Sequence, residues 1–205
     1  HATDPEAVGL EDFGRPEGFL ERQIRRWTKQ LKSSQSREVP GIDDLAAKLA
    51  ARIPETQRTA IVHGDYRLDN VIVGRNGQNE YDVAAVVDWE MSTLGDPLTD
   101  IGLFCVYWSG LGAATLVPGA DVTDPPAPFP STDAVISTYA DSSGLDLEPL
   151  PWYIAFGSFK LAVIIEGIHY RHSLGKTVGD GFGGIGDLVQ PLVDRGLLSL
   201  DQAGM

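Results

Sequence analysis

The sequence predicts an α+β fold that is mostly helical, with one small β-hairpin in its first half. Two observations lead to this prediction. Apolar residues recur at helical spacing through most of the 205-residue chain, which is the pattern of helices that bury one face. The Asn-Gly pair at 76 and 77 separates two runs rich in Val and Ile, and this is the strongest short-range signal for a hairpin.

Two helices are predicted before the hairpin. From Pro16 onward, apolar residues form one stripe while basic residues occupy the opposite face, as in a surface helix with a solvated side. Residues 41 to 54 form a second helix, with Asp43 or Asp44 near its start and Pro54 closing it. The apolar stripe of the first helix consists of Phe19, Leu20, Ile24, Trp27 and Leu31.

Short strands are expected next, at residues 59 to 63 and 71 to 74. Residues 81 to 89 then provide a return strand after the Asn-Gly turn. Because two β-rich runs joined by such a turn pair with each other, residues 71 to 88 are predicted to be a β-hairpin.

The second half of the chain is predicted to be almost entirely helical. An apolar helix follows residues 94 to 97 and runs to about Trp108. Several prolines and a glycine mark residues 117 to 131 as a long surface loop. Three further helices are expected at about 131 to 142, 149 to 174 and 185 to 199.

Composition and charge exclude several classes of partner. The net charge is −13, which argues against nucleic acid because binding phosphates needs a basic face. No uninterrupted apolar run has membrane-spanning length, so no membrane partner is expected. The single cysteine, Cys105, cannot form an internal disulfide, and a reducing cytoplasm is the expected location.

The eight residues 63 to 70 (HGDYRLDN), between two predicted strands, contain one His, two Asp, one Arg and one Asn. The return strand of the hairpin ends at Asp88. Because a hairpin returns the chain to its starting point, Asp65, Asn70 and Asp88 are expected at the same end. Two carboxylates and an amide oxygen suit a hard cation such as Mg²⁺, with one Asp left to handle a proton. With an arginine nearby, these are the parts that phosphoryl transfer needs.

Three segments in order carry a family resemblance: HGDYRLDN at 63 to 70, VVDWE at 86 to 90 and GDPLTDIG at 95 to 102. Together they resemble the aminoglycoside phosphotransferase family of kinase-like enzymes, and most of all the kinase-like domains linked to acyl-CoA dehydrogenases. The first segment also has the spacing of the protein-kinase catalytic loop, H-R-D-x-x-x-x-N. The resemblance implies the C-terminal lobe of a protein-kinase-like fold whose hairpin carries the catalytic loop. It also implies ATP as co-substrate and Mg²⁺ as cofactor.

The resemblance also implies roles for individual residues. Asp65 would be the catalytic base, and Arg67 would touch the transferred phosphoryl group. Asn70 and Asp88 would hold the Mg²⁺ ion and, through it, the nucleotide. Two residues would support the loop structurally, with Asp100 accepting hydrogen bonds from its backbone. The other supporting residue is His63.

The nucleotide-binding N-terminal lobe of such enzymes precedes the catalytic loop. Residues 1 to 62 instead contain an irregular start and two predicted helices, with no β-rich segment. We therefore expect residues 1 to 205 to be the C-terminal catalytic and substrate-binding lobe of a longer enzyme. Its expected partner is the N-terminal lobe of the same protein, and the isolated lobe is expected to be inactive and to self-associate through the exposed interface.

Other interpretations of the polar cluster remain open. A metal-dependent phosphoesterase also uses His, Asp and Asn, although only one of the four histidines lies in the cluster. A non-catalytic pseudokinase or binding module would not need the intact set of acidic residues. Arg67 could simply pair with Asp69 or Asp96 on the surface.

The phosphate acceptor is less sharply indicated than the reaction. Glu166 and His169 share a predicted helix face as possible substrate contacts, and acidic residues such as Asp180 and Asp187 could receive a cationic aminoglycoside. The likeness to dehydrogenase-linked domains favours a hydroxylated acyl thioester or another metabolite. Residues 179 to 184 (GDGFGG) match a nucleotide-loop pattern but follow a helix instead of a strand, so they are predicted to be a flexible turn.

Overall fold

The computed structural model describes residues 1–111, 129–177 and 182–205, which form six α-helices and four short β-strands. The helices are α1 (Phe19–Ser34), α2 (Ile42–Ala51), α3 (Leu98–Val106), α4 (Thr132–Ser143), α5 (Leu150–Ser173) and α6 (Val189–Gln202). The strands are β1 (Ala60–Val62), β2 (Val71–Arg75), β3 (Tyr81–Val86) and β4 (Thr93–Gly95). The predicted surface loop at 117 to 131 lies mostly outside the described residues, and so does the first half of the predicted turn at 179 to 184.

Helix α5 is the centre of the fold, since it packs against α1, α2, α3 and α6. Its Trp152, Tyr153 and Phe159 are among the largest fully buried side chains. By length and composition α5 could cross a membrane, but 78% of its apolar window is buried inside the protein. That burial is typical of the core helix of a globular fold.

Helices α3 and α5 approach each other through two glycines. A Cβ atom added to Gly102 would lie 2.4 Å from both the backbone C and O atoms of Tyr153. A Cβ atom on Gly157 would lie 3.0 Å from the Cα atom of Leu103. Because backbone cannot move aside as a flexible side chain can, Gly102 permits the close approach of the two helices.

Gly102→Ala is therefore expected to destabilise the protein, by about 1–3 kcal/mol or more, as overpacked cores do. The free energy of unfolding can be measured by urea titration of the 205-residue chain. Gly77→Ala is the matched control, because a Cβ atom at Gly77 meets nothing within 4 Å. Equal unfolding midpoints for the two variants would contradict the close packing of α3 on α5.

The predicted hairpin is confirmed. Strands β2 and β3 pair antiparallel, from Val71 opposite Val86 to Arg75 opposite Tyr81, with an irregularity between Ile72 and Val73. In the turn, the Asn76 side chain accepts hydrogen bonds from the backbone N–H groups of Gln78 and Glu80, at 3.0 Å each. The turn is thus stabilised by local contacts, as the Asn-Gly signal indicates.

A second strand pair was not predicted. Strand β1 pairs antiparallel with β4, from Ala60 opposite Gly95 to Val62 opposite Thr93. Strand β4 has only three residues and ends in glycine, so its sequence lacks a β signal of its own. The pairing brings the chain back beside the end of β1. The loop after Val62 and the hairpin therefore lie within the stretch of chain that these two paired strands close.

The helices after the hairpin differ from the predicted ones mainly at their ends. The helix predicted to run to Trp108 is α-helical only to Val106 and continues as a π-helical segment, Tyr107–Leu111. The helix predicted from 185 begins with a 3₁₀ turn, Ile185–Leu188, before α6. Such ends are set by packing and not by apolar periodicity.

Apolar side chains are exposed along the hairpin and the segments on either side of it. Because successive side chains of a strand point to opposite faces, adjacent exposed residues such as Ile72 and Val73 show that both faces of the hairpin are open. We call this surface the hairpin patch. It consists of Leu68, Ile72, Val73, Tyr81, Val83, Val87 and Trp89.

Cys105 on α3 makes stability depend on pH in the alkaline range. Burial raises the pKa of its thiol from 9.0 to about 12, against the opposing charge of Arg195. A group whose folded-state pKa is raised contributes stability that is complete below its unfolded pKa and is lost as the pH rises toward the folded value. The window is therefore pH 9 to about 12.

In Cys105→Ala the loss of folding stability that is due to the Cys105 thiol at high pH should disappear. We expect the free energy of unfolding to fall less steeply in the variant than in the wild type between pH 9 and pH 11, by about 1.4 kcal/mol per pH unit. Urea titrations of both proteins at several pH values measure the difference, and the groups that both proteins share cancel in it. Parallel pH profiles would show that the Cys105 thiol ionises freely in the folded state.

Candidate active site

The candidate site is built around Asp65, whose two backbone polar groups and one carboxylate oxygen are hydrogen-bonded. Its backbone N–H donates to His63 Nδ1 at 3.2 Å, and its carbonyl accepts from Asn70 Nδ2 at 2.9 Å. The Tyr107 hydroxyl, at the start of the π-helical segment, lies 3.4 Å from Asp65 Oδ1. The backbone of Asp65 is therefore held on both sides. One oxygen of its half-buried carboxylate is held by Tyr107, and the second oxygen can accept from a ligand.

His63 connects this loop to the exit of the hairpin. Its ring is buried and packs 4.7 Å, centroid to centroid, from that of Trp89. Because Nδ1 accepts from the Asp65 backbone, the ring proton must lie on Nε2, which donates to the Val87 carbonyl at 2.9 Å. His63 thus links the loop to the hairpin exit through its two ring nitrogens.

Asp100, on α3, holds the start of the loop. Its carboxylate accepts hydrogen bonds from the backbone N–H groups of His63, at 2.6 Å, and Gly64, at 2.8 Å. These are the backbone contacts that the family resemblance implied for Asp100. Burial raises the pKa of Asp100, and the two backbone hydrogen bonds oppose that rise. His1 Nε2 also lies 3.1 Å from the same carboxylate.

Gly64 is required by its backbone conformation. Its φ of 84° lies in the left-handed region, and an added Cβ atom would meet the Met91 carbonyl oxygen at 2.6 Å. A larger residue would displace the loop at the position immediately before Asp65.

Asn70 and Asp88 meet where the loop enters the hairpin. The Asn70 carbonyl accepts from the Val87 N–H at 2.9 Å, which places Asp88 next to this contact. Asn70 is buried and uses its amide nitrogen on Asp65, so its side-chain oxygen is left as an acceptor. Asp88 is exposed and adopts a left-handed φ of 66°, which Asp tolerates better than most residues.

The donor set of this site fits Mg²⁺. Carboxylate and amide oxygens are suitable ligands, and Mg²⁺ in nucleotide sites is held by one or two protein groups together with phosphates and water. Within the described ranges no group of three or more His, Cys, Asp or Glu residues could hold a metal ion. Asn70 and Asp88 offer two oxygen ligands of the kind that Mg²⁺ accepts.

Arg67 makes a local pair. Its guanidinium donates to Asp69, with Nε at 2.7 Å from Oδ2, and lies over the Tyr107 ring at 4.5 Å from the centroid. Of the two surface partners considered from the sequence, Asp69 is the one in contact. Asp96 is instead buried and accepts from the Tyr153 hydroxyl at 2.8 Å. The phosphate-binding role of Arg67 stays a prediction.

Tyr107 remains a hydrogen-bond donor at neutral pH. Burial raises the pKa of its hydroxyl to about 12, and the nearby charge of Asp65 adds to the rise. The phenol thus keeps its proton beside the carboxylate. Nothing in the sequence near Tyr107 marks it as part of the site, because its contact with Asp65 depends on how α3 packs.

Glu166 and His169, predicted as possible substrate contacts, lie on α5. Glu166 is fully buried, and its carboxylate accepts from Ser36 (N at 3.1 Å, Oγ at 2.9 Å) and from Arg37 Nε at 3.1 Å. These contacts describe a structural link between α5 and the segment joining α1 to α2. His169 is half-buried beside Gly186, and its Nδ1 has no hydrogen-bond partner among the described residues. Their role in substrate binding stays a prediction.

One further residue of the site was missed from the sequence. Lys160, on α5, donates from Nζ to the Gly64 carbonyl. A signal for it was present, because Lys160 is a single charge inside a long apolar stretch of α5, and buried charges need partners.

Comparison with known proteins shows which family this chain resembles. Residues 1–123 match the model of the phosphotransferase enzyme family. The chain is 30% identical over 200 residues to acyl-CoA dehydrogenase family member 11 of Pongo abelii, covering 96% of this chain and 25% of that protein. It is 32% identical over 181 residues to family member 10 of Mus musculus, covering 86% of this chain and 16% of that protein. It therefore spans a quarter or less of the length of these two relatives.

A solved structure shows the same fold. The crystal structure of a Ralstonia eutropha JMP134 protein described as an aminoglycoside phosphotransferase superposes with a TM-score of 0.81 and 32% identity, covering 98% of this chain and 60% of that one. The predicted mostly helical, kinase-like α+β fold is thereby confirmed. The family match over 1–123 and this structural likeness lead to one conclusion: the chain belongs to the phosphotransferase enzyme family.

Proposed function

We propose that the protein carrying this chain is an ATP-dependent kinase that transfers a γ-phosphoryl group to a hydroxyl of a small molecule. The observation that carries the proposal is the way Asp65 and Asn70 hold each other while Asn70 also binds the backbone beside Asp88. A proton acceptor and two oxygen ligands thereby share one end of the hairpin. This is the arrangement that phosphoryl transfer uses, since that chemistry depends on positioning and charge neutralisation.

Each residue has a distinct part in the proposed mechanism. Asp65 orients the acceptor hydroxyl through its free oxygen and takes the proton as the new O–P bond forms and the bond to the leaving phosphate breaks. Tyr107, still protonated, holds the other carboxylate oxygen. Asn70 and Asp88 would hold Mg²⁺, which neutralises charge on the phosphates when it is bound. Arg67 would turn from Asp69 toward the transferred group.

The acceptor we favour is a hydroxylated acyl thioester or a related metabolite. Two relatives that align with most of this chain are named as acyl-CoA dehydrogenase family members. An acyl acceptor would connect a kinase-like domain to that chemistry. An aminoglycoside would need exposed acidic residues. Glu166 is unsuited to this because its carboxylate is buried against Ser36 and Arg37.

The nucleotide-binding lobe belongs, in this proposal, to the rest of the same protein, in the cytoplasm. The hairpin patch is the surface that would meet it, since apolar side chains exposed on both faces of a two-stranded ribbon are unusual in a free surface. Without that lobe the patch favours self-association. Neither nucleic acid nor a membrane is proposed as a partner.

The test is phosphate transfer from labelled ATP by a two-lobed protein, meaning one that carries this chain together with a nucleotide-binding lobe. Acceptors would include a hydroxyacyl-CoA, an aminoglycoside and water alone, each with Mg²⁺ and with EDTA. Label appearing on the hydroxyacyl-CoA supports the proposal. Hydrolysis of phosphate esters without ATP would indicate a phosphoesterase, and nucleotide binding without transfer would indicate a pseudokinase. The isolated 205-residue chain should show no turnover.

A further inference from the structure

Lys160 is a charged residue buried in the centre of the fold. Its side chain is only 7% exposed, and its ammonium lies on α5 with Nζ 5.5 Å from the centroid of the Trp27 ring. Burying an ammonium group costs free energy unless other groups compensate. The one hydrogen bond that compensates it in the described residues goes to the Gly64 carbonyl. The buried charge of Lys160 is thus paired with the loop that carries Asp65.

The charged groups around Lys160 also connect it to the loop that carries Asp65. Burial has the largest effect and lowers the pKa of Lys160. The negative charges of Asp65 and Asp100 attract the ammonium and act to raise this pKa, while repulsion from Arg26 acts to lower it. A small cavity of about 40 Å³ is lined by Gly64, Asp100 and Lys160, among others. That volume accommodates a water molecule, which could connect the remaining Lys160 donors to a carboxylate.

The peptide groups of Gly64 are clamped on both sides. Its N–H donates to Asp100 Oδ1 at 2.8 Å, and its carbonyl accepts from Lys160 Nζ. The carbonyl of Gly64 belongs to the peptide bond that leads directly into Asp65. Since a planar peptide fixes the atoms on both of its sides, an anchor on this carbonyl sets where the backbone of Asp65 lies.

We propose that Lys160 is a positioning residue for Asp65 in phosphoryl transfer, acting by anchoring the Gly64 carbonyl and by balancing the charges of Asp65 and Asp100. This inference rests on the proposed kinase function. Asp100 anchors the loop from the α3 side through two N–H groups. Lys160 completes the anchorage from the α5 side through the carbonyl, so the position of the base depends on two separate helices.

The first test compares the kinetics of variants of the two-lobed protein. Lys160→Met keeps the apolar stem but removes the charge and the donor, and we expect kcat to fall by about 10²-fold, the cost of a misplacement near 1 Å. KM for ATP should change little, because the hydrogen bond that Lys160 makes within the described residues goes to the Gly64 carbonyl and not to Asn70 or Asp88. Lys160→Arg, which retains a charged donor, should recover part of the rate. Lys29→Met is the control, since Lys29 is exposed on α1 and its loss changes net charge equally.

The second test needs no substrate. Hydrogen exchange of the 205-residue chain is measured by mass spectrometry on a peptide spanning residues 62 to 68. In Lys160→Met, exchange in this peptide should accelerate at least tenfold relative to Lys29→Met, while peptides from α6 exchange as in the wild type. If Lys160→Met does not fold, Lys160→Gln takes its place, since it keeps a shorter polar donor without the charge.

The outcomes separate the two proposals. A folded charge-removing variant with unchanged loop exchange, or with kcat within about threefold of the wild type, overturns the role of Lys160. Uniformly faster exchange with an unchanged kcat for the folded fraction would reduce Lys160 to a general structural residue, which also overturns the inference. A wild-type protein that transfers no phosphate overturns the proposed function, while the exchange result still decides whether Lys160 positions the loop.

Discussion

Asp65→Asn is expected to lower kcat for phosphoryl transfer by about 10²- to 10⁴-fold, the usual contribution of a general base. The amide cannot accept the acceptor's proton as the carboxylate does. Its side-chain oxygen can still accept from the Tyr107 hydroxyl, and the backbone bonds of Asp65 to His63 and Asn70 do not involve the side chain. The loop should therefore keep its shape, and the loss should be chemical.

The measurement is kcat together with nucleotide affinity in the two-lobed protein. Nucleotide binding should stay close to the wild-type value, because Asp65 is not a predicted metal ligand. Asp141→Asn serves as the control, since Asp141 is an exposed carboxylate on α4. A variant that keeps near-normal kcat would remove Asp65 from the mechanism.

Asp88→Ala is expected to weaken Mg²⁺-dependent nucleotide binding as well as the rate. The loss in metal affinity should be about 100-fold or more, because even residues that merely support metal ligands cost 10- to 100-fold when removed. The exposed carboxylate of Asp88 is the only charged member of the predicted ligand pair, and Asn70 alone offers a neutral oxygen. An Mg²⁺ ion held at this site would therefore lose its one charged predicted ligand.

The comparison that isolates this effect is nucleotide affinity with and without Mg²⁺. Ala also tolerates the left-handed backbone at position 88 poorly, with its φ of 66°, so Asp88→Asn is measured as well to separate the charge from the backbone. Asp82→Ala removes an exposed carboxylate from the same hairpin and is the control. If the Mg²⁺-dependent part of the affinity persists in both Asp88 variants, Asp88 is not a ligand.

The parts of the fold that could be predicted from sequence are those with local causes. The hairpin follows from an Asn-Gly turn whose Asn76 side chain binds nearby backbone, and the helices follow from apolar periodicity. Strand β4 could not be found because it exists through pairing with β1, more than thirty residues earlier in the chain. The π-helical end of α3 likewise depends on packing that no local pattern encodes.

The residues of the candidate site also divide into those with a local signal in the sequence and those brought together only by the fold. The residues of the loop at 63 to 70 could be predicted because their spacing lies within one short segment of sequence. The backbone contacts of Asp100 were implied by the family resemblance. Tyr107 and Lys160 were missed because they reach the loop from positions 42 and 96 residues away in sequence from their partners. The shared helix face of Glu166 and His169 predicts a substrate contact, but that pattern does not reveal the hydrogen bonds of Glu166 to Ser36 and Arg37.

The double anchorage of Gly64 has a consequence for the order in which the protein folds. Its bonds to Asp100 and Lys160 close stretches of 36 and 96 residues, and long closures cost chain entropy that only later contacts repay. Helical secondary structure can form from neighbouring residues long before those closures. We therefore expect far-UV circular dichroism to recover early in refolding, and amide protection at Gly64 and Asp65 to appear in a slower phase, once α3 and α5 have docked.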